Sequence, residues 1–339
     1  MKSRGLTVLL GAILAGLLMW QVTQADVPYV VLGAGPTYDT LGKDDKGAPV
    51  IEVTGKDTST SAGQLRMVTV GVQSETDIFS VIKAWWSGEQ AVVPRELIYP
   101  PGQTQEQVEE TNKQDFAASQ SSAETVALKE LGYPIRATVK EVAADGAAVG
   151  KLAVGDIVTT VDGTPVDSTE KLVELIRAKP VGATLKIGRE RDGKAEIVEI
   201  TTKAGEDGTP RVGVSAENKQ PHPFELKIHL DDVGGPSAGL MFALGIIDKL
   251  TPADLTGGKI IAGTGTIDDN GTVGPIGGIA QKLVGAKDAD AAYFLTPAAN
   301  CDEAKANAVD GLTLVKVGTL DEGLDALTAI REGKPLPKC

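Results

Sequence analysis

The sequence predicts a mixed α+β protein: an α/β body interrupted by a compact β-rich module and preceded by a membrane segment. Three observations predict it. An apolar run opens the chain, alternating strand-like segments enclose one helix between residues 135 and 201, and a strand, a glycine-rich turn and an apolar helix follow one another between residues 224 and 250. After the apolar run about 310 residues remain, enough for two domains. The boundaries read from the pattern are 1–25 for the membrane segment, 26–126 for the start of the body, 127–204 for the module and 205–339 for the rest of the body.

At the N-terminus, Lys2 and Arg4 precede an uncharged stretch from Gly5 to Trp20. It is shorter than the roughly 20 residues of a full span and sits near the upper end of a secretory h-region. Two readings stay open, a retained single-pass anchor and a cleaved signal with a loose small-residue site at Thr23-Gln24-Ala25. Trp20 suits an interfacial belt and favours the anchor. Both readings leave the positive charges inside and place everything after about residue 25 outside the cytoplasm.

Composition agrees with an exported body. With 33 basic and 46 acidic residues the net charge is −13, which argues against a nucleic-acid surface. The two cysteines, Cys301 and Cys339, are expected to form one disulfide in an oxidising compartment, tying the C-terminal tail to its domain; the other reading is two unrelated free thiols. Only two histidines occur, His222 and His229, without the spacing of a zinc site, so no metal is expected. No cofactor is expected either.

Along the chain, strand-like segments lie at 29–32, 50–53 and 65–72, so residues 29–99 read as β-rich. Residues 103–130 turn polar and helical, opening with Thr104 and Gln107 at capping-box spacing and ending at Leu131-Gly132-Tyr133-Pro134. Ile135 to Val142 alternates as a strand, Gly155 to Val161 reads as another, and Asp162-Gly163 is a hairpin-type turn. A helix begins at Asp167 and carries Leu172, Val173, Leu175 and Ile176. Strands follow around 183–189 and 196–201.

The chemistry sits in the last segment. Phe224 to Leu230 alternates as a strand, and Ser237 to Leu250 reads as an almost wholly apolar helix. Ser237 then stands at a helix N-terminus, where unpaired N–H groups and the helix dipole receive a developing oxyanion. The bland reading is a serine that merely caps the helix. Lys282 weighs against it. Lysine serves as a base when its amine is neutral, and Ile276, Ile279, Leu283 and Val284 supply an apolar lining around it. Alone, Lys282 reads as a solvated surface residue; the two motifs together point to a serine nucleophile with a lysine base.

Residues 146–158, with Val161-Asp162-Gly163-Thr164-Pro165-Val166 after them, resemble the bacterial PDZ domain. The resemblance implies a groove for an extended peptide between Ile135–Val139 and the helix 168–179, lined by Leu172 and Ile176. Leu131, Gly132, Tyr133 and Pro134 stand where the family places its carboxylate loop. The other reading is a spacer that grips nothing.

Gly235-Pro236-Ser237-Ala238-Gly239, Thr264-Gly265 and Pro275-Ile276-Gly277-Gly278 leading to Lys282 resemble the proteolytic domain of Lon, the Ser-Lys peptidase family. The resemblance implies Ser237 as nucleophile, Lys282 as general base and Thr264 as a hydroxyl orienting the amine; backbone N–H groups near Ser237 and Gly235 are the expected oxyanion donors. It also implies an α/β proteolytic domain, discontinuous in sequence, with the PDZ module inserted. The whole order is similar to the bacterial membrane-anchored PDZ-containing Lon-like proteases. No Gly-x-x-x-x-Gly-Lys-Ser/Thr loop occurs, so the expectation is an ATP-independent endopeptidase. Its expected partners are exported or membrane-protein substrates, the membrane, and further copies of itself, since Lon-like domains form rings. Two competitors remain: a Ser-His-Asp hydrolase using His229 with Asp231 or Asp232, and an inactive PDZ scaffold that binds exported tails.

Overall fold

The computed structural model describes residues 2–23, 27–74, 76–205, 207–230 and 233–339, and within the first helix the side chains of residues 8–17, 20 and 21. Gln24 and Ala25 of the cleavage site, and Asp231 and Asp232, lie outside the described residues. The chain forms two compact units, Met1–Val126 with Glu225–Cys339, and Ala127–Phe224.

The first unit opens with α1 (Lys2–Thr23), β1 (Tyr29–Asp39), β2 (Ile51–Thr54) and β3 (Gln64–Gln73). Then come α2 (Ile78–Ser87), β4 (Ala91–Pro94), α3 (Arg95–Ile98) and α4 (Gln105–Glu130), within which the chain passes into the second unit. The second unit holds β5 (Arg136–Val142), β6 (Ile157–Val161), β7 (Thr164–Pro165), α5 (Thr169–Arg177), β8 (Thr184–Arg191), β9 (Lys194–Thr201), β10 (Lys203–Ala204), β11 (Pro210–Arg211) and β12 (Val214–Lys219). Back in the first unit are β13 (Glu225–Ile228), α6 (Gly239–Leu250), β14 (Ile260–Gly263), β15 (Thr266–Ile267) and β16 (Val273–Gly274). The chain ends with α7 (Ile279–Asp288), β17 (Tyr293–Pro297), α8 (Cys301–Ala306), β18 (Thr313–Val317) and α9 (Leu320–Glu332).

The N-terminal apolar run is helical as α1, but among the described residues no helix is long and apolar enough to cross a membrane. The centre of the first unit is a six-stranded sheet, β18-β17-β14-β3-β1-β4. Its middle is parallel and carries helices on both faces, as crossover connections demand. Ala262 packs with Ile279 and Leu283 of α7, whereas Gly263 faces Met241 of α6. Every residue of α6 except Lys249 is buried, which explains why the helix is apolar from Gly239 to Ile247, and buried Asp248 is satisfied by Ser61 and the Leu255 N–H. Phe242 meets Phe116 of α4 edge to face, with ring centroids 5.7 Å apart.

Helix α2 departs from the β-rich reading of residues 29–99. Asp77 caps it by accepting from the Phe79 and Ser80 N–H groups, and Gly88 ends it in the left-handed region. Its apolar run carries no period-2 signal that competes with that cap. The capping box of α4 forms: Gln107 N–H donates to Thr104 Oγ1 at 3.2 Å, and Thr104 N–H to Gln107 Oε1 at 2.9 Å.

Cys301 and Cys339 are joined across 38 residues, and Lys316 N–H donates to Pro337 O at 2.7 Å, so the tail lies against β18. Replacing both cysteines with serine is expected to lower unfolding stability by about 2–4 kcal/mol, read as a lower urea midpoint in non-reducing buffer.

In the second unit the sheet order is β12-β5-β6-β8-β9, with β7 pairing β6. Asp162-Gly163 and Asp192-Gly193 turn two hairpins, each with positive φ at both residues, as type I′ turns require. The cap of α5 is Ser168, which accepts from Lys171 N–H, rather than Asp167. The core gathers Val139, Leu152, Val158, Leu172, Leu185, Ile187 and Ile200. The module extends beyond residue 204. Because β12 pairs with β5 over Val214–Lys219, the described residues from 207 to 224 pack in the second unit.

Candidate active site

Three elements of the first unit bring the site together. The loop before α6 carries Ser237, the C-terminal end of β14 presents Thr264, and α7 carries Lys282. Lys282 Nζ donates to Ser237 Oγ at 2.8 Å and to Thr264 Oγ1 at 2.9 Å. Thr264 Oγ1 donates in turn to Ser237 O at 3.0 Å, and Gly265 N–H reaches the same carbonyl at 2.8 Å. Thr264 therefore touches both the Lys282 amine and the Ser237 carbonyl.

Lys282 is 2% exposed, with Ile279 and Leu283 fully buried beside it. Burial pushes its amine down to about 8 from 10.5, because the charged form loses water. At Gly278, φ is +68° and an added Cβ would lie 2.6 Å from Val70 Cγ2, so only glycine lets the N-terminus of α7 approach β3 this closely. Ser237 is not a helix cap. Ala238 occupies that position and makes no side-chain cap bond, which leaves the Ser237 hydroxyl to Lys282. A cleft of about 360 Å³ opens over the pair, walled by Pro36, Tyr38, Met67, Thr69 and Val70.

His229 does not approach this arrangement through hydrogen bonding; its Nε2 lies 2.8 Å from Glu52 Oε2, across the β13–β2 pair. Among the described residues no group of His, Cys, Asp or Glu is placed to hold a metal ion.

A family model described as PDZ domain matches residues 107–202, and one described as Lon protease (S16) C-terminal proteolytic domain matches residues 210–329. The chain carries a PDZ domain and a Lon-type C-terminal proteolytic domain. It is 36% identical to Lon protease 2 of Bacillus subtilis strain 168 over 112 residues, which are 31% of this chain and 19% of that one. It is 31% identical to Lon protease 2 of Herpetosiphon aurantiacus over 150 residues, 42% of this chain and 18% of the other. The chain thus spans about a fifth of the length of these curated relatives. The solved PDZ domain of the SdrC-like protein of Listeria monocytogenes shares 30% identity over 24% of this chain and 86% of that one, with a TM-score of 0.23.

In the Lon-like unit the oxyanion donor expected at Gly235 needs correction. The Gly235 N–H is engaged by Asn112 O at 2.8 Å, held so by a φ of +83°. No backbone carbonyl among the described residues accepts from the Ser237 N–H, and Ser237 lines the cleft. Helix α4 supports this loop twice, through Asn112 and through Ser119, whose buried Oγ donates to Pro236 O at 2.9 Å. Sequence reasoning missed both residues, since a serine and an asparagine in a polar helix look like surface. Ser119→Ala is expected to lower kcat about 10- to 100-fold by loosening the nucleophile loop, with KM and melting temperature nearly unchanged. Steady-state kinetics beside a thermal melt would check this.

In the PDZ unit a groove of about 500 Å³ runs between α5 and the edge strand β12. Leu172, Val173, Ile176 and Arg177 line one side, and Pro210 to Ala216 the other. Leu172 and Ile176 stand where the resemblance implied. Leu131, Gly132, Tyr133 and Pro134 do not line it. They end α4, with Gly132 at φ +85°, and Tyr133 packs edge to face on Phe224, centroids 5.5 Å apart. The physical reason is strand order: β12 covers β5, so the free edge and its loop come from residues 205–219, later in the chain than expected.

Proposed function

We propose that this chain is an ATP-independent, membrane-anchored serine endopeptidase that acts outside the cytoplasm through a Ser237–Lys282 dyad. The observation that carries the reading is the buried Lys282 amine, 2.8 Å from Ser237 Oγ, its pKa brought down to about 8. Neutral Lys282 takes the Ser237 proton, and the alkoxide attacks the scissile carbonyl. The Ser237 N–H steadies the tetrahedral oxyanion. As the carbon–nitrogen bond breaks, the Lys282 ammonium returns its proton to the leaving amine, forming an acyl-enzyme. Lys282 then deprotonates a water that attacks the ester, and Ser237 recovers its proton as the acid product leaves. None of these steps consumes a nucleotide. General-base action contributes about 10²–10⁴-fold and a preorganised oxyanion donor about 10²–10³-fold.

The PDZ unit is proposed to bind an extended substrate segment as an added strand on β12, its side chains entering the groove beside Leu172 and Ile176. Anchoring rests on the uncharged run from Gly5 to Trp20 behind Lys2 and Arg4. The Cys301–Cys339 disulfide suits an oxidising compartment and supports export. Protein or peptide substrates at the membrane follow from this placement, and assembly into a homo-oligomer follows from the Lon-like resemblance.

A fluorophosphonate probe on the full chain tests the reading. Ser237 is expected to be labelled in wild type, with no labelling in Ser237→Ala and slow labelling in Lys282→Ala. Comparing peptides released by wild type and by Ser237→Ala would identify the clients. Equal labelling of Ser237→Ala would sink the assignment by placing the reactive serine elsewhere, and no labelling of wild type would favour the inactive scaffold.

A further inference from the structure

Helix α2 presents an outward face of the wrong chemistry for water. At 3.6 residues per turn, Phe79, Ile82, Trp85 and Trp86 fall within an arc of about 120°. They are 50%, 44%, 83% and 88% exposed, while Ala84 on the opposite side is buried. A helix on a soluble surface turns its polar face outward. Here the sequence IFSVIKAWWS carries Lys83 as its one charged residue. Two adjacent tryptophans held open to solvent are costly unless something of matching chemistry covers them.

The position of α2 identifies that cover. Tyr29 begins β1, and five residues separate it from Thr23, the last residue of α1. A fully extended chain spans about 3.5 Å per residue, so β1 starts within roughly 20 Å of the end of α1. The segment that leads into α2 is fastened there: Thr76 Oγ1 donates to Tyr29 O at 2.7 Å. Helices α1 and α2 are themselves in contact. The tryptophan face thus lies beside the point where the chain leaves its proposed anchor.

We infer that the outward face of α2 rests in the interfacial layer of the bilayer that holds α1. The inference rests on the anchor reading given above and adds a second, independent membrane contact. Tryptophan suits that layer, with its indole body among the acyl chains and its N–H toward headgroups and water. Lys83 extends its charged end toward lipid phosphate while its stem stays in the apolar zone. The acidic net charge gives no attraction to anionic lipid, so the contact is driven by apolar burial and is expected on neutral bilayers too.

The test uses the full chain carrying Trp20→Phe, which leaves Trp85 and Trp86 as the only tryptophans of the sequence. The protein is reconstituted into phosphatidylcholine vesicles with and without brominated acyl chains. Expected are flotation with the vesicles, blue-shifted tryptophan emission, loss of that emission in brominated vesicles, and protection from aqueous iodide. Phe79→Ser with Ile82→Ser in the same background is expected to reverse the blue shift while peptidase activity in detergent is retained. Flotation with emission that stays red and open to iodide overturns the inference and leaves the anchor standing. Failure to float overturns both. A blue shift that depends on protein concentration without lipid assigns the face to a second copy of the chain and overturns the inference as well.

Discussion

Lys282→Met is expected to abolish peptide hydrolysis and, at neutral pH, to raise the stability of the peptidase unit. Methionine keeps the unbranched shape of the side chain within its buried lining. The rate loss follows from removing the group that takes the Ser237 proton and later protonates the leaving amine, each step worth orders of magnitude. The stability gain follows from the burial that creates the base. A pKa of about 8 in the folded state, against 10.5 for a free lysine, means that folding a charged Lys282 costs on the order of 3 kcal/mol. Methionine removes that cost. Thr264 keeps its bond to Ser237 O, so the loop retains a partner. Hydrolysis of a fluorogenic peptide and a thermal melt at pH 7 measure both effects. Because the residues act as a unit, Ser237→Ala with Lys282→Met should be no slower than Ser237→Ala alone. A variant that stays active, or melts lower than wild type, contradicts the base assignment.

The second expected result is a pH profile for kcat/KM that climbs about tenfold per unit from pH 6 and levels near 8. Only the neutral amine accepts the serine proton, and with a pKa of about 8 its population is about 1% at pH 6 and half at pH 8. The sign of the linked stability effect separates catalysis from unfolding. Because the folded pKa is depressed, the unfolded chain binds more protons between about 8 and 10.5, and Lys282 makes stability rise with pH in that window. Below pH 8 the lysine is charged in both states and contributes no slope. A fall in rate from pH 8 to pH 6 at constant melting temperature is therefore the signature of the dyad. A flat profile over that range would remove Lys282 as the base.

The candidate site residues were legible because two motifs, each weak alone, point to one chemistry together. Gly-Gly-Pro-Ser ahead of an apolar helix, and a lysine among isoleucine and leucine at helical spacing, point to the same chemistry without any contact map. The boundaries of α4 were legible as well, since its Thr104–Gln107 box is contained in four residues. What failed was non-local. The edge strand of the PDZ unit pairs residues 214–219 with 136–142, a separation that alternation within either segment does not reveal. The groove was therefore assigned to β5, and its loop to residues 131–134. The Gly235 amide looked available from its position before Ser237, and only the approach of Asn112 from α4 shows it taken. Helix α2 was missed because its short apolar run looks the same inside a β-rich stretch as in a buried strand.

By itself, the sequence singled out Ser237, Thr264 and Lys282 as candidate groups, gave their order, and showed that an apolar segment precedes an acidic body. Those properties are written in residue type and short spacing. The tertiary structure decided how those groups meet: that Nζ meets Oγ, that Thr264 touches both, that burial brings the Lys282 amine down to about 8, and which strand edge is free. Desolvation and strand pairing depend on atoms brought together from distant parts of the chain, so no local reading of residues 237 and 282 contains them.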